Sequence, residues 1–168
     1  MTVRTQVFRA PMRARSRDED RFIGARLAVR DGCVGIGEPL SRSPDSLAEA
    51  LSKTTDEHGE RSARLLRRFA QLPDEVLVWT QTGTEEFRLG MIDGPWRYDD
   101  SSRAVKTGIH HIRPARWLGG SFDLKRTPRR VVYAFNRGGR NLQRINDSAA
   151  AAETERLWAG YPSTPVAS

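Results

Sequence analysis

Residues 76–98 read VLVWTQTGTEEFRLGMIDGPWRY, and this stretch decides the fold. Apolar and polar side chains alternate from Val76 to Gln81 and again from Phe87 to Ile92, a pattern typical of strands with one buried face. The residues between them, Thr82-Gly83-Thr84, contain the glycine that a tight turn requires. The sequence therefore predicts a β-hairpin here.

Further strand-like segments joined by turns follow this hairpin. A turn at Asp93-Gly94-Pro95 leads into Trp96-Arg97-Tyr98, and after a polar loop from Asp99 to Gly108 a strand broken by Pro114 is predicted over Ile109–Leu118. Several short strands joined by tight turns predict a strongly bent antiparallel sheet. The fold class is accordingly α+β, because helical patterns flank this sheet on both sides in the sequence.

Those helical patterns are of unequal strength. The stretch Glu60–Leu72 places leucines and Phe69 on one face and arginines largely on the other, which predicts an amphipathic helix ended by Pro73. Pro44-Asp45-Ser46 predicts the start of an earlier helix that ends near Lys53. Pro128 starts a short helix, a last strand spans Asn141–Ile145, and Asp147 caps a final helix.

The N-terminal quarter is predicted to begin with strands. Asp31-Gly32 is a strong two-residue hairpin signal, and apolar residues lie on both sides of it. We expect a basic flexible tail over residues 1–20, a single domain over 21–158, and a disordered tail over 159–168. A chain of 168 residues is long enough for one such core.

Charge is segregated along the chain. The formal net charge is +7 overall, and residues 101–145 contain eleven Lys or Arg residues against one acidic residue, Asp123, a local net charge of +10. Clustered cations of this kind are typical of a surface that neutralises nucleic-acid phosphates, although a solvated arginine-rich face gives the same pattern.

Other features argue against alternative classes. The single cysteine, Cys33, excludes an internal disulfide and fits a reducing cytosol, and we expect no membrane span and a cytoplasmic protein. His110 and His111 are adjacent on a predicted strand and point to opposite faces, so no metal site is expected. No nucleophile with a base, carboxylate pair or phosphate-binding glycine loop is convincing, so neither an enzyme nor a cofactor is predicted.

Aromatic residues are concentrated in the same part of the chain as the cations. Trp79, Trp96 and Trp117, with Tyr98 and the paired histidines, lie within residues 75–117. Aromatic faces next to a basic segment suit a protein that stacks on bases while it contacts phosphates. The alternative is that Trp79, Trp117 or both fill the core of a small barrel.

The motif order resembles the EVE and YTH branch of the PUA-like superfamily, and most closely the PUA-like domains associated with Mrr-type and McrB-type modification-dependent restriction proteins. The resemblance spans Val34–Ile145 and depends on Gly35-Ile36-Gly37, on Gly94-Pro95-Trp96-Arg97-Tyr98 and on Arg113-Pro114-Ala115-Arg116-Trp117. It implies a compact β-barrel-like domain with flanking helices that recognises a modified base flipped out of DNA into an aromatic cage.

The candidate site residues form two groups. The base pocket is expected to include Gly35, Ile36, Gly37, Trp79, Asp93, Trp96, Tyr98, His110 and Trp117. The nucleic-acid backbone is expected to contact Arg113, Arg116, Arg129, Arg130, Arg137, Arg140, Asn141 and Arg144. One of His110 and His111 is expected to edge this pocket while the other is packed in the core, and the sequence leaves open which is which.

The sequence thus favours a reader of modified bases in DNA with no catalytic activity of its own. An effector protein such as a nuclease is an expected further partner. One alternative is an assembly subunit of a defence or mobile-element system, in which the basic face docks an acidic protein. A weaker alternative is an RNA-binding module.

Overall fold

The computed structural model describes residues 5–14 and 20–161, in which a single sheet is flanked by helices. In chain order the elements are β1 (Val7–Arg9), α1 (Ile23–Asp31), β2 (Cys33–Ile36), α2 (Leu47–His58), α3 (Glu60–Gln71), β3 (Leu77–Gly83), β4 (Glu86–Ile92), β5 (Arg97–Tyr98), α4 (Ser102–Thr107), β6 (His111–Trp117), α5 (Arg129–Asn136), β7 (Gln143–Arg144) and α6 (Ser148–Gly160).

The strands follow the order β2-β6-β4-β3-β1-β7, and β5 also pairs with β6. The two halves of β6 have different partners: its first four residues pair with β2, and Ala115–Trp117 pair with β4. This change of partner accompanies the strong curl of the sheet. The predicted α+β class and bent sheet are confirmed, and every pairing is antiparallel among the described strands except that of β1 with β3.

Alternation along β3 distributes its side chains between two core clusters. Val78 belongs to a cluster with Phe8, Phe69 and Ile112. Its neighbour Trp79 belongs to a second cluster, which also contains side chains of α5 and α6. Successive strand residues face opposite sides of a sheet, so the curled sheet carries apolar packing on both faces.

The first described residues are an integral part of the sheet, where a flexible tail was predicted. Val7 pairs with Leu77 in parallel register, and Arg9 pairs with both Trp79 and Gln143. Val7 and Phe8 are each 1% exposed. The remainder of the predicted tail, residues 1–4 and 15–19, lies outside the described residues, as do residues 162–168 of the predicted C-terminal tail.

The hairpin predicted around Asp31-Gly32 is wrong. Residues 23–31 form helix α1, and Gly32 ends it with a left-handed φ of 73°. A glycine in that conformation serves a helix C-terminus as well as a hairpin turn, so the local signal is the same in both cases. Only the second predicted strand forms, as β2.

The other sequence-predicted elements agree more closely with the structure. The amphipathic helix is α3, the central hairpin is β3–β4, and Asp147 accepts a hydrogen bond from Ala150 at the start of α6. Helix α2 starts after Ser46 as expected and continues to His58, beyond the predicted end near Lys53. The predicted polar loop over 99–108 contains helix α4. Among the described residues no helix is long and apolar enough to cross a membrane.

We predict that Gly90→Ala destabilises the fold. A methyl group at Gly90 would lie 2.5 Å from Cε3 of Trp117, whose indole nitrogen donates a hydrogen bond to the carbonyl of Cys33. Displacing a packed ring should lower the free energy of unfolding by about 1–3 kcal/mol, measured by urea denaturation. Gly160→Ala is the matched control, because a methyl group there meets nothing within 4 Å. Equal stability of the two variants would contradict this packing.

Candidate nucleic-acid interface

A cavity of about 320 Å³ opens where β2 ends. Gly35-Ile36-Gly37 at the end of β2 lines it, and α3 contributes Ser62 and Leu65. The remaining described residues that line it are Met12, Arg13, Glu38, Gly108, Ile109, Arg140, Asn141 and Leu142. The sequence analysis identified the Gly-Ile-Gly segment and residues 140–141, and the structure brings these together in what we call the glycine cavity.

Position 35 requires a glycine because neighbouring segments leave no room for a side chain there. A methyl group there would lie 2.5 Å from Cγ2 of Ile109 and 2.8 Å from the carbonyl oxygen of His111. The backbone N–H of Gly35 donates to the thioether sulfur of Met12 at 3.4 Å. Met12 itself has a φ of 49°, an uncommon conformation for a residue with a side chain. The close contacts at Gly35 therefore fix this part of the cavity wall.

Sequence reasoning missed the contributions of Met12, Ser62 and Leu65. Met12 lay in the segment predicted to be a flexible tail, and its contact with Gly35 is set by the long-range pairing of β1. Ser62 and Leu65 do carry a weak local signal, since they lie three residues apart on one face of the predicted helix. Nothing in that spacing indicates which strand they face.

Trp96, Tyr98, His110 and His111 form one packed cluster. Nε1 of Trp96 donates to Nδ1 of His111 at 3.1 Å, and the two rings are stacked with centroids 6.0 Å apart. Tyr98 stacks on His110 at 5.5 Å, and its hydroxyl oxygen accepts a hydrogen bond from the backbone of Leu40. None of these rings is among the described residues that line the glycine cavity. The cluster lies behind the wall, where Trp96 and Ile36 pack against the same core clusters.

Both histidines are buried, at 6% exposure for His110 and 1% for His111, so neither edges the cavity in the way predicted. Nδ1 of His110 donates to the carbonyl of Asp99 at 2.9 Å. Burial lowers the pKa of His111 to about 4, so its imidazole is neutral at pH 7. A neutral ring can accept the indole proton of Trp96, whereas a protonated one cannot.

Two of the tryptophans predicted to line the base pocket pack against the hydrophobic core. Trp79 is fully buried, packs edge-on against Phe122, and donates a hydrogen bond to Thr154 at 3.1 Å. Its placement in a base pocket is corrected, because no face of the ring is exposed. Trp117 is partly buried against the first core cluster, with its indole nitrogen bonded to Cys33. The core interpretation of these two rings is the one that the structure supports.

Asp93 and Arg116 lie together, away from the glycine cavity. Both side chains are exposed, and they form an ion pair at 3.4 Å. The guanidinium group of Arg116 also lies 5.8 Å from the ring centroid of Trp158. Neither residue is among the described residues that line the cavity, so the structure does not join Asp93 to the predicted base pocket.

Arg113 is buried at 3% exposure, and its predicted contact with phosphates is corrected. Its guanidinium group donates to the carbonyls of Phe69, Leu72 and Gly94 and to the carboxylate of Asp74. Burial lowers the pKa of Arg113, and the negative charge of Asp74 acts in the opposite direction. With its donors engaged internally, this side chain serves the fold.

The other predicted backbone contacts are exposed and divide among neighbouring concave surfaces. Arg140 and Asn141 line the glycine cavity, and Arg130, Arg137 and Arg144 line a second cleft. Arg129 lies at the start of α5 beside a shallower depression. Among the described residues no group of three or more His, Cys, Asp or Glu side chains is arranged to hold a metal ion.

We predict that His111 makes the fold acid-sensitive. The unfolded chain takes up a proton as the pH falls through 6.5, but the folded chain does so only near its pKa of about 4. Protonation therefore favours the unfolded chain between these values, with a loss of about 3 kcal/mol in the free energy of unfolding at 1.36 kcal/mol per pKa unit.

Urea denaturation from pH 7 to pH 4 measures this loss. His111→Gln should be less stable than the natural protein at pH 7 and should lack this part of the acid-induced loss. His58→Gln, which removes a partly exposed imidazole paired with Glu38, should retain it. A constant stability difference between the natural protein and His111→Gln across this range would contradict the assignment.

Comparisons with known proteins find similarity only in overall structure, to solved structures. No protein-family model matches the sequence, and no curated protein does so. Among solved structures, the YTH domain of the Zygosaccharomyces rouxii MRB1 protein, in complex with N6-methyladenosine RNA, aligns with 95% of this chain and 90% of that chain. The aligned chains are 12% identical, with a TM-score of 0.46.

Proposed function

We propose that this protein binds nucleic acid and holds one nucleobase in the glycine cavity. The observation that carries the proposal is a concave site lined by Gly35-Ile36-Gly37 and by two arginines, Arg13 and Arg140, against one acidic residue, Glu38. Its volume of about 320 Å³ falls within the roughly 300–1,000 Å³ typical of small-ligand sites.

The chemistry of the lining suits a flat heterocycle with a polar edge. Leu65, Ile36 and Ile109 offer apolar surface to the ring faces. Asn141 carries an amide that both donates and accepts hydrogen bonds, and Gly37, the residue after β2, adds a backbone N–H and C=O. Bases that leave a stack are recognised by such contacts to their edges and faces. An aliphatic slot thus replaces the aromatic cage expected from the sequence.

The aromatic cluster supports this slot from behind. Ile36 lines the cavity, and Ile36 and Trp96 both pack against the same two core clusters, so the indole belongs to the packing that holds the wall. We assign Trp96, Tyr98 and the two histidines to positioning the Gly-Ile-Gly backbone. Under this proposal they act on base binding without touching the base.

The proposed ligand is a modified base in DNA, with RNA as the alternative. Support for a polyanion comes from the local net charge of +10 over residues 101–145 and from the exposure of Arg129, Arg130, Arg137, Arg140 and Arg144. Extruding a base from a duplex costs a few kcal/mol, and a mismatched or damaged base costs less to extrude. Comparing the affinities for one oligonucleotide sequence synthesised as DNA and as RNA distinguishes the two ligands.

We predict that Leu65→Trp abolishes base preference by filling the glycine cavity. Fluorescence anisotropy with single-stranded and duplex oligonucleotides, each plain or methylated on cytosine or adenine, measures the affinities. The natural protein should prefer one modified oligonucleotide, and Leu65→Trp should lower that affinity by at least about tenfold, equivalent to 1.4 kcal/mol.

Val105→Trp is the matched control. It adds the same ring at a position on α4 that is 72% exposed and is not among the described residues of the cavity. Circular dichroism of both variants checks that the fold is retained. Equal affinities of the two variants for the preferred oligonucleotide would refute the cavity as the base site. Failure of the natural protein to bind any oligonucleotide at low salt would favour an assembly role.

A further inference from the structure

A second concave surface, here called the arginine cleft, collects five arginines from separate parts of the chain. Arg9 comes from β1, Arg68 from α3, Arg130 from α5, Arg137 from the residue after α5, and Arg144 from β7. The cleft has a volume of about 470 Å³, and no carboxylate is among the described residues that line it. Asp147, 3.3 Å from Arg130, offsets one of these charges from the side.

Arg9 gives the cleft a buried cationic floor. Its side chain donates through Nη1 to the carbonyls of Ala134 and Gly138, while its Nε is buried without a hydrogen-bond partner. Burial lowers the pKa of Arg9, and the nearby positive charge of Arg137 lowers it further. A buried cation among like charges is electrostatically unfavourable, and an anion bound in the cleft would relieve that cost.

Tyr133 holds two of the exposed arginines in place. The ring is 52% exposed, and the guanidinium carbons of Arg130 and Arg137 lie 5.4 Å and 5.8 Å from its centroid. Cation–π contacts of this length restrict both side chains without consuming their hydrogen-bond donors. The Nη donors of both groups therefore remain available to phosphate oxygens, while Nε of Arg130 donates to Asp147.

The cleft is continuous with the glycine cavity along the chain. On one segment, Arg9 lines the cleft, and Met12 and Arg13 line the cavity. On another, residues 140–142 line the cavity, and residues 143–146 line the cleft. A nucleic-acid strand that left the cavity along these segments would next contact the arginines of the cleft.

We propose that the arginine cleft binds consecutive phosphodiester groups of the strand whose base enters the glycine cavity. The identity of that strand rests on the proposed function, but phosphate binding by the cleft does not require a base. Each phosphate contact on a single strand contributes about 0.7 to the slope of log affinity against log salt concentration.

The test uses the full chain and a short single-stranded probe made of abasic phosphodiester units. The double variant Arg137→Gln/Arg144→Gln should lower the salt slope by about 1.4, the value for two lost contacts. Removing Arg137 also removes a cation near Arg9, so the double variant should be at least as stable to urea as the natural protein.

The matched control is Arg64→Gln/Arg67→Gln, which removes the same charge from exposed positions of α3 that line neither surface among the described residues. This control should keep the natural salt slope. Equal reductions by both double variants, or failure of the natural protein to bind the abasic probe at low salt, would overturn the proposal.

Leu65→Trp separates this proposal from the function of the cavity. It should leave binding of the abasic probe unchanged while it abolishes base preference. If base preference survives Leu65→Trp but the salt slope still falls in Arg137→Gln/Arg144→Gln, the base site is refuted and the phosphate site stands. If only base preference is lost, and the arginine variant behaves as its control, the cleft is refuted.

Discussion

The buried guanidinium group of Arg113 is the contact on which the geometry of the glycine cavity depends. It lies on β6 and donates to the carbonyls of Phe69 and Leu72 at the end of α3, where the Phe69 carbonyl also accepts from the N–H of Leu72. The carboxylate of Asp74 balances its charge at 2.9 Å. A buried cation is tolerated only with such partners, so the sequence can keep Arg113 here only if α3 ends against β6. That arrangement places Ser62 and Leu65 opposite the glycines of β2.

The sequence predicted those parts of the fold whose signals are local. Helix α3 buries one face, and the β3–β4 hairpin has alternating strand residues on both sides of a glycine-containing turn, so local patterns identify both elements even though β3 is buried on both faces. Strand β1 has three residues, and its place in the sheet is fixed by its partners β3 and β7, which no local pattern encodes. Gly32 misled the analysis because a left-handed glycine ends a helix as readily as it turns a hairpin.

The sequence predicted the backbone segment of the candidate site, but it did not predict which side chains are exposed there. The paired glycines around Ile36 signalled a close approach, and the close contact of Gly35 with Ile109 is its cause. Counting aromatic residues did not reveal their exposure: Trp79 and Trp96 are two of three tryptophans in one stretch, yet one is fully buried in the core and the other is partly buried and bonded to His111. The same holds for arginines, since the +10 segment contains both a buried internal donor and free cations.

The loop after α5 explains how neighbouring cations reach different surfaces. Gly138 and Gly139 have left-handed φ values of 76° and 100°, which side chains rarely adopt. A methyl group at Gly139 would also lie 2.9 Å from Nη2 of Arg9, whose Nη1 already binds the carbonyl of Gly138. The chain therefore reverses tightly over a buried guanidinium group, with Arg137 left in the cleft and Arg140 in the cavity. Burying Arg9 thus shapes the loop that joins the two surfaces, and it places a desolvated positive charge beside the like charge of Arg137.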